Sequence, residues 1–298
     1  MTSSPVRTAV HVAAAAQLAC LLEVSARKPG NVSPAHRFVD ISYETFLASA
    51  AAIGGPLAGA ATRPLGETVR LAIDATFAWT CSNTNLGIML LLAPLARAAL
   101  LNVERAAAHR DLRLTARRIV EETTVADARE VYAAIRRASP GGLGRVEEHD
   151  VADEPDITLI DAMRLAAGRD SIAREYATAF ELTFEVGAPA LERARSAALS
   201  WDDAVVETFL TLLAQVPDTH IGRRRGTARA LEVSEQARRV LAAGGVRTVD
   251  GREAIAEMAR RLSDGSQAAN PGTTADLTTA AIFVVLVGGG WSEHAAMR

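Results

Sequence analysis

The chain has 298 residues, of which 49% are hydrophobic and only 4% aromatic, and its formal net charge is −3. This charge gives no reason to expect a nucleic-acid partner or binding to an anionic membrane, since both need a basic surface. Alanine, which favours helices, is abundant, whereas the aromatic residues typical of strands are rare. The composition therefore predicts an all-α protein.

Apolar residues recur at intervals of three and four along the chain, which is typical of helices. Ser42, Thr124 and Asp170 stand where N-caps are expected, and Gly187 where a long helix is expected to end. The predicted helices cover 6–25, 42–53, 66–80, 86–101, 111–122, 124–138, 157–168, 170–186, 189–198, 201–215, 226–243, 250–263 and 273–287. We predict a single compact, bundle-like all-α domain over residues 1–298, with about a dozen helices.

The cysteines and the apolar segments bear on localisation. Cys20 and Cys81 have neither a disulfide nor a metal-binding spacing, so both are expected to be buried thiols. The apolar run from Ala280 to Trp291 is too short to span a bilayer, and the N-terminus predicts an amphipathic helix rather than a signal peptide. We expect a soluble, cytoplasmic protein without a membrane partner, and its oligomeric state stays open.

Polar clusters stand at the ends of several predicted helices, where free backbone N–H groups suit phosphates. In "LLEVSARKPGNVSP", Glu23 occupies the last turn of an apolar helix, where the helix dipole disfavours a carboxylate. Lys28 and Asn31 follow it, and an ordinary turn is the alternative interpretation. In "CSNTNLG", three polar residues precede an apolar helix and exceed what one cap requires. These are Asn83, Thr84 and Asn85.

Two acidic residues stand at positions where a cap alone would explain them. Asp127 lies in the first turn of its helix, and Asp170 is a cap beside the guanidinium of Arg169. The segment "QVPDTHIGRRRG" is different, because an Asp-Thr pair precedes three arginines, which can bind phosphate through two hydrogen bonds. A solvated basic surface is the alternative for this run.

Near the C-terminus, "NPGTTADL" precedes an apolar helix that we expect at the centre of the protein. Thr273 and Asp276 have the spacing of a capping box, with Asp in place of the usual Glu. Asp276 is predicted both to cap this helix and to line a polar pocket at its first turn. The histidines show no metal-ligand spacing, so no transition-metal site is expected. P-loop, dinucleotide-binding and nucleophile-elbow motifs are absent.

The segments "EVSARKPGNV", "SNTNLG", "PDTHIGRRRG" and "NPGTTADL", in this order, resemble the triphosphoribosyl-dephospho-CoA synthase family over roughly residues 15–287. The resemblance implies an all-α transferase that uses ATP as ribosyl donor and releases adenine. The triphosphoribosyl group of ATP is transferred to a hydroxyl of dephospho-CoA and forms an α-glycosidic linkage with it. The product is the precursor of the prosthetic group of citrate lyase and malonate decarboxylase acyl carriers.

One motif departs from the family pattern, which is Asn-Thr-His-Lys-Gly where this chain has Asn-Thr-Asn-Leu-Gly at 83–87. The chain looks more like a divergent branch found in archaea and methylotrophic bacteria. A second hypothesis is therefore α-ribosyl transfer, from ATP or phosphoribosyl diphosphate, in the biosynthesis of methanopterin-type coenzymes of one-carbon metabolism. A nucleoside-cleaving hydrolase and a non-catalytic nucleotide-binding helical protein are further alternatives.

Ribosyl transfer passes through an oxocarbenium-like state and needs a carboxylate near C1′. Glu23 is the candidate base, and Asp218 and Asp276 are candidate catalytic groups and ligands of a Mg²⁺ that accompanies the nucleotide phosphates. The other candidates would bind phosphate or ribose oxygens. They are Lys28, Asn31, Asn83, Thr84, Asn85, Asp127, Arg169, Asp170, Thr219, Arg223, Arg224, Asn270 and Thr273.

Overall fold

The computed structural model describes residues 8–38, 41–102, 109–263 and 269–291. In these ranges the chain is α-helical, with one π-helical and one 3₁₀ turn and no β-strand, which confirms the all-α prediction. The helices are α1 (Ala9–Ser25), α2 (Tyr43–Ala52), α3 (Gly54–Ala58), α4 (Leu65–Phe77), α5 (Leu86–Leu101), α6 (His109–Glu121), α7 (Val125–Ala138), α8 (Leu159–Ala166), α9 (Ser171–Ala177), α10 (Ala188–Ser196), α11 (Trp201–Gln215), α12 (Thr219–Arg225), α13 (Thr227–Ala242), α14 (Val249–Leu262) and α15 (Gly272–Val287).

Helix α15 lies at the centre of the protein and packs against α1, α5, α10 and α11. Almost all of its residues are buried, because its apolar side chains point in every direction around the helix axis. One hydrophobic core continues from Val12 in α1 to Val287 in α15. This packing brings the polar first turn of α15 into the interior, beside the first turn of α5.

Helix α5 carries Pro94 in its interior, and a proline lacks the N–H that would bond the carbonyl four residues earlier. That carbonyl belongs to Leu90, and the hydroxyl of Tyr176 donates to it at 2.7 Å. Burial raises the pKa of the Tyr176 phenol well above its ordinary value, so the group remains a donor. The hydrogen bond anchors the short helix α9 to α5 at a place where α5 has lost a donor of its own.

The chain after α9 departs from the single helix predicted over 170–186. Helix α9 ends at Ala177, and Ala179 and Phe180 adopt a left-handed backbone with φ of 53° and 59°. A π-helical turn, Leu182–Gly187, then leads directly into α10, so the predicted stop at its last residue is wrong. The buried carboxylate of Glu175 accepts hydrogen bonds from the first two N–H groups of this turn. A side-chain cap seven or eight residues before the turn leaves no trace in hydrophobic periodicity.

Two other predictions need correction. The predicted helices leave out residues 216–225, whereas the structure has helix α12 there, with the Asp218 side chain as its cap. Cys20 is buried as predicted, whereas Cys81 lies in a turn and is exposed. In the part of the chain that the structure describes, no helix combines the length and apolar character needed to cross a membrane.

Candidate active site

A cavity of about 900 Å³ opens beside the N-terminal ends of α5 and α15. Its other walls come from the end of α1, from α7, α8, α9 and α12, and from the loop 139–152. The cavity brings together most of the site residues predicted from the sequence. Those that line it are Glu23, Asn31, Asn83, Thr84, Asn85, Arg169, Asp170, Arg223, Arg224, Asn270, Thr273 and Asp276.

The Asp276 carboxylate lies against the first turn of α5. A Cβ atom at Gly87 would lie only 2.1 Å from Asp276 Oδ2, so this close approach requires glycine. Within the described residues, no hydrogen bond or ion pair reaches this carboxylate. Burial, then the nearby charges of Glu23 and Asp218, raise the pKa of Asp276 well above its ordinary value. An unpartnered cavity carboxylate with a raised pKa is typical of active sites.

Asp276 does not cap α15, contrary to the prediction. The helix begins at Gly272, behind Pro271, and no side chain of its own segment caps it. Asp218 supplies the missing cap, because its Oδ2 accepts hydrogen bonds from the N–H of Thr274 at 2.7 Å and from its hydroxyl at 2.8 Å. Its Oδ1 accepts from the N–H of Ile221 at 3.0 Å and caps α12. Asp218 therefore joins two helices behind the cavity wall instead of lining the cavity.

We expect Asp218→Asn to lower the free energy of unfolding by about 2–4 kcal/mol, because an amide cannot accept at both oxygen positions and one buried cap is lost. Urea denaturation measures this change. The control is Asp250→Asn, an exposed acid in the first turn of α14, for which we expect a change below about 0.5 kcal/mol. Equal stability of the two variants would refute the joining role of Asp218.

Glu23 lies in the last turn of α1, as predicted, and is only 2% exposed. The Lys28 Nζ atom lies 3.1 Å from Glu23 Oε1 and also donates to the carbonyls of Glu23 and Ala26. Lys28 does not line the cavity, although it was predicted to contact phosphate. Burial raises the pKa of Glu23, and the ammonium of Lys28 acts in the opposite direction.

The three polar residues before α5 line the cavity, but the protein already uses their side chains. Asn83 Oδ1 accepts from the first N–H of α5 at 3.1 Å, and the hydroxyls of Thr84 and Ser49 lie 2.6 Å apart. Asn85 Nδ2 donates to the hydroxyl of Thr76 at 2.9 Å. These contacts fix the turn that places Gly87 beneath the Asp276 carboxylate.

Asn31 and Asn270 join two distant segments at the cavity, through an Nδ2–Oδ1 hydrogen bond of 2.9 Å. His220 Nδ1 lies 2.8 Å from the Asn270 carbonyl oxygen. A carbonyl only accepts, so Nδ1 carries a proton and Nε2 is left as the second ring nitrogen of the site. Burial lowers the pKa of His220 more than the nearby Asp218 raises it. His220 lines the cavity, although the absence of a metal-ligand spacing had left it out of the predicted site residues.

Positive charge lies at the rim of the cavity. Asp170 caps α9 through Oδ1, which accepts from the N–H groups of Ile172 and Ala173, and its Oδ2 pairs with Arg223. Arg169 and Arg224 are exposed, and neither has an ion-pair or hydrogen-bond partner among the residues that the structure describes. The rim therefore carries two arginines that are free to bind an anionic ligand.

Two predicted residues hold the scaffold outside the cavity. Asp127 Oδ2 accepts from the N–H and hydroxyl of Thr124, and its Oδ1 accepts from the N–H of Gly66 at 2.8 Å. This confirms the cap interpretation of Asp127 and attaches α7 to α4. The Thr219 hydroxyl connects the first N–H of α9 to the hydroxyl of Thr273, so it joins three helices that surround the cavity.

The sequence-based candidates include no residue of the loop 139–152, much of which lines the cavity. The Asp150 carboxylate accepts from the N–H groups of Val146 and Ala152, each at 2.8 Å. The Tyr132 hydroxyl donates to the carbonyl of His149 at 2.9 Å. A long connection rich in Gly and Pro is often functional, and that was the available signal.

The described residues contain no group of three or more His, Cys, Asp or Glu side chains arranged to hold a metal ion. A Mg²⁺ ion bound to a nucleotide needs fewer protein ligands than such a group provides. Phosphates and waters supply most of its ligands, and the protein adds one or two carboxylates. Asp218 is unsuited to this role because both of its oxygens accept hydrogen bonds inside the protein. Asp276 is the predicted ligand that fits, since it is unpartnered and faces the cavity.

Comparison with known proteins bears on this site. The family model described as "CitG: ATP:dephospho-CoA triphosphoribosyl transferase" matches residues 9–294. The chain belongs to this family. The matched segment includes every residue that lines the cavity.

Relatives with curated names point the same way. A protein of Pseudomonas aeruginosa (strain UCBPP-PA14), named "Probable 2-(5''-triphosphoribosyl)-3'-dephosphocoenzyme-A synthase", is 30% identical over 147 residues, 47% of this chain and 50% of that protein. A protein of Pseudomonas putida with the same name is 34% identical over 113 residues, 38% of this chain and 40% of that protein. The chain spans about half the length of these relatives, or less.

A solved structure covers more of the chain. The crystal structure of an Archaeoglobus fulgidus protein, provisionally named triphosphoribosyl-dephospho-CoA synthase, is similar with a TM-score of 0.63 at 30% identity. The match covers 82% of this chain and 99% of that chain. The fold built around α15 is thus shared with this member of the family.

Proposed function

We propose that the chain is a ribosyltransferase that moves a triphosphoribosyl group from ATP, with release of adenine, to a hydroxyl acceptor in coenzyme or prosthetic-group biosynthesis. Membership of the triphosphoribosyl transferase family supports this proposal. The observation that carries it is the unpartnered Asp276 carboxylate, which faces a cavity with two unpaired arginines at its rim. Such a site provides for the positive charge of a ribosyl transition state and for the negative charge of a phosphate chain.

The distribution of charge suggests how the donor lies. Carboxylates stand at the inner end of the cavity, on α1 and α15, and the free guanidiniums of Arg169 and Arg224 stand at the outer rim. We place the ribose C1′ near Asp276 and the phosphates toward the arginines. The first turns of α5 and α15, in which Asn83 and Asp218 each cap one N–H group, add the positive partial charge of the helix dipoles. The cavity volume of about 900 Å³ lies at the upper end of the range for ligand sites, which suits two substrates.

The proposed step is a single displacement, since ATP has a β-linkage and the family's product an α-linkage. Glu23 accepts the proton of the acceptor hydroxyl, and that oxygen bonds to C1′. The bond from C1′ to the adenine nitrogen breaks, and adenine leaves with the bonding electrons and takes up one proton. Asp276 stabilises the positive charge that develops at C1′. With the phosphates at the rim, a bound Mg²⁺ would be held mainly by phosphate and water oxygens and would neutralise phosphate charge there, away from Asp276.

Two neighbouring positions favour a different acceptor as the second candidate function. Leu86, buried in the cavity wall, stands where the family pattern has Lys, and Asn85 turns its amide to Thr76 inside the protein. Neither supplies a cation to a substrate phosphate. In transfer of an α-ribosyl phosphate to a ribitol hydroxyl, as in methanopterin-type coenzymes, with phosphoribosyl diphosphate as donor, the transferred ribose carries one phosphate instead of three and so needs fewer cations around it.

A substrate panel tests the proposed function and separates the two candidates. The purified protein is incubated with ATP or phosphoribosyl diphosphate and Mg²⁺, against dephospho-CoA or a ribitol-bearing pterin precursor, and products are identified by mass spectrometry. We expect an adduct with one acceptor that retains the ribosyl phosphate. Adenine release without any acceptor would instead identify a nucleoside-cleaving hydrolase, and no binding of either donor would indicate a protein without this activity.

Replacing Arg169 or Arg224 by Met tests the placement of the phosphates. Each variant should raise the KM for the donor about tenfold and change kcat less than about threefold, because a charge-assisted hydrogen bond is lost from binding. The matched control is Arg193→Met, an exposed arginine of α10 that does not line the cavity. If both rim variants resemble this control in steady-state kinetics, the phosphates lie elsewhere.

A further inference from the structure

Lys28 is buried and does not reach the cavity, although its ion-pair partner Glu23 lines it. Its side chain has 0% exposure, and its Nζ atom is surrounded by three oxygens of the segment just before it. Two are the carbonyl oxygens of Glu23 and Ala26, and the third is Glu23 Oε1 at 3.1 Å. Two of the three N–H donors of the ammonium bond the carbonyl oxygens, and the group is held within ion-pair distance of Glu23 Oε1, so it is enclosed and does not reach a substrate phosphate.

The position of Glu23 explains why a cation is needed there. Helix α1 ends at Ser25 with no basic residue in its last turn, so the carboxylate of Glu23 faces the negative end of the helix dipole. Oε1 is enclosed and makes no hydrogen bond of regular geometry, so charge attraction to Lys28 is its main stabilisation. A carboxylate in this environment would take up a proton if the ammonium were absent.

We propose that Lys28 is a positioning residue that keeps Glu23 ionised and turned toward the cavity, and that it does not bind substrate. This inference rests on the proposed function, in which Glu23 accepts the proton of the acceptor hydroxyl. It concerns a role in the reaction that the family resemblance does not assign to Lys28.

Other titratable groups face this pair from the neighbouring helices. Asp276 of α15 repels the Glu23 carboxylate, and Asp202 of α11 attracts the Lys28 ammonium. Cys20, one turn earlier in α1, stays a neutral thiol because burial raises its pKa above the ordinary range. Lys28 is thus the cation that opposes the effect of burial on the pKa of Glu23.

The test follows the carboxyl signal of Glu23 by ¹³C NMR in protein labelled at glutamate, with Glu23→Gln used for assignment. In Lys28→Met we expect the pKa of Glu23 to rise by about one to three units, since an opposite charge within ion-pair distance is lost. The acid limb of the kcat–pH profile should move up by the same amount. The KM for ATP should change less than about twofold, and Lys28→Arg should retain most activity.

The proposal is overturned if the pKa of Glu23 stays the same in Lys28→Met. It is also overturned if the KM for ATP rises about tenfold while the acid limb of the kcat–pH profile stays in place. Should Lys28→Met fail to fold, the ¹⁵Nζ signal of Lys28 in the native protein decides. We expect it to keep its shift when ATP is added, whereas a large shift on ATP binding would identify a phosphate contact. A native protein that is inactive with every donor and acceptor rejects the proposed function but leaves both NMR tests valid.

Discussion

Replacing Asp276 by Asn should lower kcat for ribosyl transfer by about a thousandfold or more, because the charge that stabilises C1′ is removed from the transition state. The dissociation constant for ATP should change much less. Asparagine has the same shape, so the cavity beside Gly87 keeps its form. Single-turnover kinetics and calorimetric titration with ATP measure the two quantities, and Asp250→Asn, at an exposed residue that does not line the cavity, is the control.

The same variant should be more stable than the native protein near neutral pH. The folded pKa of Asp276 is raised, so the folded state binds more protons than the unfolded chain, and stability falls as the pH rises from the ordinary pKa of Asp through the raised value. An asparagine side chain cannot ionise, so Asp276→Asn loses this pH dependence. Near-normal turnover, or a loss of stability with activity retained, would mean that Asp276 is structural.

Glu23→Gln should also abolish transfer while ATP binding persists, because the acceptor hydroxyl loses its base. Its effect on stability is opposite to that of Asp276→Asn. The exchange leaves the buried ammonium of Lys28 without its counter-ion, which typically costs about 3–5 kcal/mol. Activity assays and urea denaturation of both variants separate the two carboxylates.

The double variant Glu23→Gln with Lys28→Met controls for instability. Removing both charges should restore much of the lost stability, since no unpaired buried charge remains, whereas activity should stay lost. A double variant that regains turnover would show that the single exchange acted through folding and that Glu23 is not the base.

The fold class and many helix limits follow from local rules. Thr124 and Asp170 cap the helices for which they were predicted, and Glu23 stands in the last turn of α1. These features depend on residues within one or two turns of each other. The sequence therefore contained enough to place most of the candidate residues at helix ends around one cavity.

Contacts between distant segments were beyond such rules. The cap of α15 comes from Asp218, 56 residues earlier, so spacing alone assigned that role to Asp276. Lys28 was expected to bind phosphate as the cation of a polar cluster after a helix, but its Nζ turns back to the carbonyls of Glu23 and Ala26 at the end of α1. A residue's type predicts what it can bind, and only the packing decides which partner it meets.

The central claim is that the base–ribose bond of ATP is broken and its ribose is transferred with all three phosphates. ATP labelled in both adenine and the γ-phosphate tests it in one rapid-quench experiment with the preferred acceptor. We expect free adenine and a γ-labelled adduct to appear together in equal amounts, and only when acceptor is present. Formation of ADP, or adenine that accumulates without an adduct, would contradict the claim.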